Sequence, residues 1–216
     1  MVILGFLWDL DGVLVDTGEF HYISWIETLP KFGLHMTREQ FVATFGMNNT
    51  GVLTSLLGYI PTSEYVTEVG GMKEEAFRSA VKGHGKLLPG VQHWLETLHR
   101  LGIRQAVASS APIENVTALV EETGIRLYFQ ALVSALGKPS KPDPWVFLTA
   151  AEKIGVLPQN CTVVEDAIAG VEAAHRAGMR CIAVTTTNRA EKLRAAEQVV
   201  DSLEELDPIQ WLGSQN

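Results

Sequence analysis

Short apolar runs and amphipathic stretches alternate along most of the chain. The first run, Val2–Leu7, is rich in branched and aromatic residues and has no helical period, which predicts a buried strand. Later apolar runs predict further strands at Arg104–Ala108, Ala131–Ser134, Thr162–Val164, Arg180–Thr185 and Val199–Val200. Helical patterns separate these runs, so the sequence predicts an α/β fold, a Rossmann-like parallel sheet covered on both faces.

Between the first strand and the rest lies a stretch with helical patterns and no convincing strand, residues 17–86. Thr37 and Gln40 form a capping-box pattern, and Glu64–Val81 is broadly helical, with a break expected at Gly70–Gly71. Since the first strand must join the sheet built by the later ones, this stretch is an all-α insertion. The predicted domains are a core of residues 1–16 and 87–216 and an inserted domain of residues 17–86.

The composition excludes several classes of partner. The chain has 216 residues, a net charge of −8 and no block of basic residues, which argues against nucleic acid and anionic membranes. No stretch has the roughly 18 apolar residues of a membrane span. Cys161 and Cys181 have neither C-x-x-C spacing nor a nearby pair of histidines, so we expect reduced buried thiols. Together these features predict a cytoplasmic protein.

Two carboxylates follow the first predicted strand directly. Asp9 and Asp11 are two positions apart, so in extended chain both side chains face the same space, and Gly12 lets the backbone turn behind them. Two like charges about 4 Å apart repel by about 1 kcal/mol in water and about 4 kcal/mol near a protein surface. A cation between them is therefore expected. On its own, the pair also fits a helix cap or a turn.

Polar side chains stand at the ends of other predicted strands as well. They are Ser109 and Ser110, Glu165 and Asp166, with Lys141 in a loop. Because the carboxyl ends of parallel strands meet at one edge of the sheet, we expect these groups to converge. Acidic side chains from two strands suit Mg2+. Ser109 precedes a helix predicted to begin near Pro112, whose free N–H groups bind anions, and Lys141 adds a positive charge. The set predicts a phosphate-binding site.

One carboxylate then has a chemical role. A phosphoryl group held between magnesium and Lys141 is open to in-line attack, and we assign Asp9 as the nucleophile that forms an aspartyl phosphate. Asp11 would protonate the leaving oxygen and later take a proton from water. The predicted catalytic residues are Asp9, Asp11, Ser109 and Lys141.

These motifs resemble those of the haloacid dehalogenase superfamily. They are Asp9-Leu10-Asp11-Gly12-Val13-Leu14-Val15-Asp16-Thr17, Ser109, Lys141-Pro142-Asp143-Pro144, and Val164-Glu165-Asp166 followed by Gly170 and Ala177-Gly178-Met179. The resemblance implies a Rossmann-like core, a helical cap over the site and a magnesium-dependent phosphoaspartate mechanism. It implies metal binding by Asp9, by the backbone carbonyl of Asp11 and by the Asp166 carboxylate. Glu165 is either a further ligand or a residue that contacts the ligands without binding the metal. True dehalogenases lack the acid found at Asp11, which favours phosphate chemistry.

The chain is most similar to the subgroup that contains β-phosphoglucomutase and many small-molecule phosphatases. In this comparison His21 and Trp25 lie at the cap entrance, and Gly46 and Asn49 lie in a cap turn, which makes them candidate substrate contacts together with Ser110. Each cap residue also has a purely structural explanation: a histidine on the polar face of a helix, or ordinary core and turn packing.

Two anchors for a second phosphate in the mutase pattern are absent. The mutase pattern has an Arg in the cap turn where this chain reads Gly46-Met47-Asn48-Asn49. It has Ser-Lys-Asn shortly after the motif serine, where this chain reads Ala111-Pro112-Ile113. Asn49 cannot supply the charge-assisted bidentate contact of an arginine. Lys73 and Arg78 are possible substitutes, although both also fit a solvated helix face.

We therefore expect hydrolysis of a small phosphorylated metabolite such as a sugar phosphate. A phosphosugar mutase is the alternative, and a protein that binds a metabolite or partner without turnover is a third possibility.

Overall fold

The structure, a computed structural model, describes residues 3–45 and 47–213. The chain forms two compact units. We call Met1–Asp16 with Lys86–Asn216 the core unit and Thr17–Gly85 the cap unit. Val2 and Gly46, which the sequence placed in a strand and in a substrate-binding turn, lie outside the described residues. Within the described ranges no helix has the length and apolar character needed to cross a membrane.

The core unit contains a six-stranded sheet in the order β3-β2-β1-β4-β5-β6, and all paired strands are parallel. The strands are β1 (Gly5–Trp8), β2 (Arg104–Ser109), β3 (Ala131–Ser134), β4 (Cys161–Glu165), β5 (Arg180–Val184) and β6 (Gln198–Val200). The α/β class and the parallel sheet predicted from the hydrophobic pattern are confirmed. The strand order is that of a Rossmann-like fold.

The alternation of side chains along β1 explains why this strand is central. Phe6 and Trp8 point to one face, where both rings lie near Trp94, whereas Leu7 belongs to the cluster on the opposite face. All three β1 side chains are fully buried. A strand that is apolar on both faces must be covered on both, as parallel sheets are.

In the core unit, α-helices lie between successive strands from β1 to β5, and one more helix follows β6. They are α5 (Val91–Arg100), α6 (Ile113–Glu122), α7 (Trp145–Lys153), α8 (Ile168–Arg176) and α9 (Pro208–Gly213). A helix was also predicted at Arg189–Ala195, and this prediction is wrong because only a 3-10 turn forms, at Ala190–Lys192. Helices this short are marginal without extensive packing of one face.

All secondary-structure elements in the described part of the cap unit are helices. Its α-helices are α1 (Gly18–Thr28), α2 (Arg38–Thr44), α3 (Asn49–Leu57) and α4 (Ser63–Val81). The predicted capping box at Thr37 is present and begins α2. The predicted break at Gly70–Gly71 is wrong, because α4 continues through both glycines.

Packing explains the continuity of α4. Each glycine costs a helix interior about 1 kcal/mol relative to alanine, but Val69 and Phe77 of this helix are almost fully buried and offset that cost. Gly70 also permits a close approach, since a Cβ at this position would lie 2.8 Å from Nδ2 of Asn49.

Candidate active site

The candidate site begins where β1 ends, between its two neighbours β2 and β4. Trp8 is paired with Val107 on one side and with Val164 on the other, and the N–H of Asp9 donates to the carbonyl of Val164 at 3.0 Å. In this strand order the chain reverses its winding direction between β1 and β4, which opens a crevice at their carboxyl ends. Asp9 therefore lies at the position where open α/β sheets bind ligands.

A tight turn follows Asp9 and fixes Asp11. Gly12 has a φ of +77°, a conformation that residues with a Cβ rarely adopt. Its N–H donates to the carbonyl of Val15 at 2.9 Å. The sequence placed this glycine behind the two carboxylates so that the backbone could turn, and the structure has the turn at that residue.

Lys141 joins two of the carboxylates. Its Nζ lies 2.5 Å from Oδ1 of Asp9 and 2.5 Å from Oε1 of Glu165, and it also donates to the carbonyl of Ala108 at 3.3 Å. Its side chain is only 9% exposed. The Lys141–Pro142 peptide bond is cis. Charged hydrogen bonds of this kind are stronger than neutral ones, so Lys141 ties the end of β1 to the end of β4.

Glu165 is held by hydrogen bonds at both carboxylate oxygens. Oε1 accepts from Lys141, while Oε2 accepts from the backbone N–H groups of Asp166 and Ala167, each at 2.9 Å. The carboxylate lies over Gly170, where a Cβ would come within 2.0 Å of the Glu165 Cδ. Glu165 thus has its oxygens directed to Lys141 and to the backbone that carries Asp166.

Asp166 lies directly beside Gly12 of the turn that follows Asp11. Its Oδ2 would be 2.2 Å from a Cβ at Gly12, so the missing side chain of that glycine admits the carboxylate. Among the described residues, Lys141 forms ion pairs with Asp9 and Glu165, and none of the ion pairs includes Asp166.

Burial and mutual repulsion perturb these acids. Burial raises the pKa of Asp9 to about 7, with Lys141 opposing the shift and Glu165 and Asp11 adding to it. Burial also raises the pKa of Asp166 well above its ordinary value, helped by Glu165 and Asp9. Burial lowers the pKa of Lys141, but Asp9 and Glu165 more than reverse this effect, so it stays protonated. Such shifts are typical of functional sites.

The donor set fits a hard divalent cation. Asp9, Glu165 and Asp166 bring three carboxyl groups against the single ammonium of Lys141, so their charged forms together would carry more negative charge than the lysine compensates. Within residues 3–45 and 47–213, no group of three or more His, Cys, Asp or Glu side chains is arranged to share a metal ion. A site with two carboxylates, one backbone carbonyl and water meets the preference of Mg2+ for few protein ligands.

The two serines differ in exposure. Ser109 is 1% exposed, and its Oγ accepts the N–H of Ala111 at 3.0 Å, whereas Ser110 is exposed. The helix that follows begins at Ile113, with Pro112 as its N-cap in an extended conformation (ψ of 145°) rather than at the first helical position. Ser109 therefore ends β2 in a buried turn just before α6.

In the cap unit, the candidates His21, Trp25 and Asn49 converge on two residues of α4. His21 Nδ1 lies 2.8 Å from the Lys73 Nζ, and Asn49 donates to Oε1 of Glu74 at 3.0 Å. Lys73 Nζ also lies 3.1 Å from Glu74 Oε1 and 5.6 Å from the Trp25 ring centroid.

This cluster corrects one expectation about the cap cations. Lys73 is only 3% exposed, so the solvated helix face expected for it is wrong. A buried ammonium requires partners, and Lys73 has them in Glu74 and His21. Arg78 is partly buried. Trp25, 3% exposed, belongs to the hydrophobic core of the cap unit.

Sequence reasoning missed three residues beside Asp166. Thr186, Thr187 and Asn188 follow β5. Thr187 and Asn188 each have a hydrogen bond to Asp166, and Oγ1 of Thr186 lies 3.5 Å from Oδ2 of Asp166. A signal was present, because Thr185-Thr186-Thr187-Asn188 is a polar run at a strand end, as Glu165-Asp166 is. Hydroxyl and amide groups are common in loops, so the run did not stand out.

Several known proteins are similar to this chain in sequence. The chain is 35% identical to the chloroplastic protein SUPPRESSOR OF QUENCHING 1 of Arabidopsis thaliana over 84% of its length. It is 30% identical over 95% of its length to the chloroplastic 5-amino-6-(5-phospho-D-ribitylamino)uracil phosphatase of the same plant. It spans only 18% and 56% of these two relatives.

Other relatives are similar over nearly their whole length. The chain is 32% identical to fructose-1-phosphate phosphatase YqaB of Escherichia coli, over 83% of this chain and 95% of that protein. The crystal structure of β-phosphoglucomutase from Clostridium difficile superposes with a TM-score of 0.84 at 28% identity, covering 99% of this chain and 97% of the other.

The family profile covers the first five strands of the sheet. Residues 6–184 match the family described as haloacid dehalogenase-like hydrolase. That range runs from β1 through β5 and includes Asp9, Lys141 and Asp166. The chain belongs to the haloacid dehalogenase-like hydrolase family.

Proposed function

We propose that this protein is a magnesium-dependent phosphatase that hydrolyses a small phosphorylated metabolite, such as a sugar phosphate. The observation that carries the proposal is the contact of Lys141 with Asp9 in the crevice at the carboxyl ends of β1 and β4. It supports the proposal because a carboxylate that can attack phosphorus and a buried ammonium that can bind a phosphoryl oxygen lie side by side at the ligand-binding edge of the sheet. The similarity to fructose-1-phosphate phosphatase supports the same substrate class.

Asp9 is the nucleophile in this proposal. One of its carboxylate oxygens attacks phosphorus in line with the leaving alcohol oxygen, so that an aspartyl phosphate forms as the ester P–O bond breaks. Asp11 donates a proton to the departing alkoxide. It then removes a proton from a water molecule that attacks the same phosphorus, which releases inorganic phosphate and restores the Asp9 carboxylate.

Asp9, the backbone carbonyl of Asp11 and the Asp166 carboxylate would hold the magnesium ion. When bound, this ion offsets the excess negative charge of the carboxylates and of the phosphoryl oxygens. The argument for it is electrostatic, because burial and the neighbouring acids raise the pKa of both Asp9 and Asp166, and a divalent cation favours their charged forms.

The remaining core residues bind the phosphoryl group or position its partners. Lys141 offers its ammonium to a phosphoryl oxygen, and Ser109, with Ser110 beside it, offers a hydroxyl next to the start of α6. Glu165 is a positioning residue rather than a metal ligand, since its oxygens already accept from Lys141 and from the N–H groups of Asp166 and Ala167.

We assign substrate selection to the cap unit, with His21 and Asn49 as the candidate contacts, whereas Trp25 packs in the hydrophobic core of that unit. The substrate is a small phosphorylated metabolite, and neither nucleic acid nor membrane is a proposed partner. A cytoplasmic location remains a prediction.

A phosphosugar mutase is the second candidate, because β-phosphoglucomutase is a close structural neighbour. The cap favours hydrolysis. Asn49 donates its amide to the carboxylate of Glu74 at 3.0 Å, and an arginine would be needed for a charged bidentate contact with a second phosphate. Phosphate release therefore separates the two candidates.

The test is a screen for phosphate release from small sugar and polyol phosphates, with MgCl2 and with EDTA. We expect release from at least one monoester with MgCl2 and none with EDTA. The variant Asp9→Asn should lose turnover by several orders of magnitude while its circular dichroism is unchanged, since the amide is not a nucleophile here.

The matched control is Asp143→Asn, the same substitution at an exposed aspartate two residues from Lys141, which should keep full activity. Isomerisation of a sugar phosphate that requires a bisphosphate primer and releases no phosphate would establish the mutase instead. Binding of phosphorylated metabolites with no turnover under any of these conditions would contradict both enzymatic candidates.

A further inference from the structure

The loop after β5 contacts Asp166 and the turn after Asp11. Thr186, Thr187 and Asn188 form this loop, which lies next to the candidate metal site in the core unit. Motif reasoning assigned it no role. Its three side chains nevertheless provide hydrogen bonds to the groups that surround Asp166.

Thr186 bonds to the turn after Asp11 and to Asp166 itself. Its hydroxyl donates to the carbonyl of Gly12, and its Oγ1 lies 3.5 Å from Oδ2 of Asp166. A single hydroxyl thus contacts both the backbone next to Asp11 and the carboxylate from β4. In the proposed metal site, the distance between the Asp11 backbone and the Asp166 carboxylate determines whether both can bind the same cation.

Thr187 and Asn188 hold Asp166 from two more directions. The Asn188 amide donates to the backbone carbonyl of Asp166 at 3.1 Å. The Thr187 side chain forms a hydrogen bond with the Asp166 carboxyl group. Thr187 also lies close to the turn, since a Cβ at Gly12 would be 3.0 Å from its Oγ1.

A hydroxyl donor to the carboxylate and an amide donor to the backbone carbonyl of the same residue orient Asp166 without neutralising it. Asp166 forms no ion pair with a described residue, so its negative charge remains available to a cation. By contrast, Asp9 and Glu165 share the ammonium of Lys141. Side chains that hydrogen-bond to a metal ligand set the orientation of that ligand. In other metalloproteins, removing such a side chain typically weakens metal binding about 10- to 100-fold.

We propose that Thr186, Thr187 and Asn188 are positioning residues of the metal site, which set its affinity for Mg2+ by holding Asp166 against the Gly12 turn. The inference rests on the proposed magnesium-dependent function. It concerns residues outside the motifs that carry the family resemblance.

The test measures metal binding directly and needs no substrate. Protein is titrated with MnCl2 while free Mn2+ is followed by electron paramagnetic resonance, and MgCl2 then displaces the bound Mn2+. Thr187→Val keeps the shape of the side chain and removes the hydroxyl, so affinity should fall at least ~10-fold. Thr187→Ser restores the hydroxyl and should return affinity close to that of the wild type. Thr186→Val should weaken binding in the same direction as Thr187→Val.

Thr185→Val is the matched control. Thr185 is the neighbouring threonine, but its hydroxyl donates to Oδ1 of Asp201 at 2.5 Å, away from Asp166. This variant should bind Mn2+ and Mg2+ as the wild type does. All variants should melt at similar temperatures in EDTA, which separates positioning from general stability.

Wild-type affinity in Thr187→Val would overturn the inference and leave the proposed phosphatase intact. The inference would also be overturned if Thr187→Ser lost as much metal affinity as Thr187→Val, or if Thr185→Val lost as much. In either case the loss of affinity would not come from the hydroxyl directed to Asp166. A wild-type protein that binds neither ion would contradict this inference and the magnesium dependence in the proposed function together.

Discussion

The ammonium of Lys141 lies 2.5 Å from Oδ1 of Asp9, although the two residues are 132 positions apart in the chain. The same Nζ is 2.5 Å from Oε1 of Glu165. The lysine therefore compensates two buried carboxylates from adjacent strands. Removing one charged member of a buried group leaves the others uncompensated, and this is more damaging than losing a surface ion pair.

Lys141→Met should destabilise the core unit and abolish turnover. Asp9 and Glu165 would lose their shared ammonium, at a cost of about 3 kcal/mol. In EDTA at about pH 8 this corresponds to a melting temperature lower by ~6 °C or more. Lys138→Met, in the same loop but exposed, should change the melting temperature little. Equal melting temperatures for the two variants would show that the buried ion pairs do not stabilise the protein.

Gly170→Ala should be destabilising although alanine is the better helix former. The new Cβ would lie 2.0 Å from Cδ of Glu165, so the carboxylate must move away from Lys141 and from the Asp166 backbone. We expect a loss of about 2 kcal/mol, as for other overpacked positions, and a lower kcat. The measurements are thermal unfolding and phosphate release.

Gly71→Ala provides the comparison for this prediction. Gly71 is also a helical glycine, and a Cβ there meets nothing within 4 Å. It should therefore gain about 0.5–1 kcal/mol from helix propensity. A stabilised Gly170→Ala would mean that the space beside Glu165 is larger than the structure indicates.

Magnesium affinity should increase as the pH rises through about 7. Burial, the largest effect, raises the pKa of Asp9 from 3.8 to about 7 in the metal-free protein. Below that pH Asp9 is mostly protonated, so metal binding must displace its proton, and calorimetry in buffers of different ionisation enthalpy should detect the release. An affinity independent of pH between about 5.5 and 8 would contradict the prediction.

The same shift affects stability. Between its unfolded value near 3.8 and its folded value near 7, Asp9 binds more protons in the folded protein than in the unfolded chain. Its contribution therefore favours the metal-free fold at low pH and is lost as the pH rises through 7. Asp9→Asn should remove this component from the pH dependence of unfolding, measured in EDTA against the wild type.

Cys161 and Cys181 should be unreactive in the folded protein. Both thiols are free and at most 2% exposed, and burial raises the pKa of Cys161 to about 12 and that of Cys181 well above its usual value. Because the thiolate is the reactive form, a thiol reagent at about pH 8 should label neither cysteine until urea unfolds the chain. Variants Cys161→Ala and Cys181→Ala identify which thiol reacts if labelling occurs earlier.

Local patterns predicted the sheet well because each strand is defined by neighbouring residues. β3 was predicted at the residues where it forms, and β2 and β4 differ from the prediction by one or two residues at their ends. The break at Gly70–Gly71 was wrong because helix propensity is a weak preference that packing overrides. The burial of Lys73 was missed for a related reason, since His21 of α1 reaches Lys73 only when α1 and α4 pack.

The sequence by itself determined which residues carry charge and where apolar strands stop, so it predicted Asp9, Asp11, Lys141, Glu165 and Asp166 as one group. Those features depend on residue type and on side-chain periodicity over a few positions. Only the tertiary structure decided how the group is shared: Lys141 contacts Asp9 and Glu165, whereas Thr186, Thr187 and Asn188 hold Asp166. Hydrogen bonds require atoms within about 3.5 Å, and for residues far apart in sequence that distance depends on strand order and loop path.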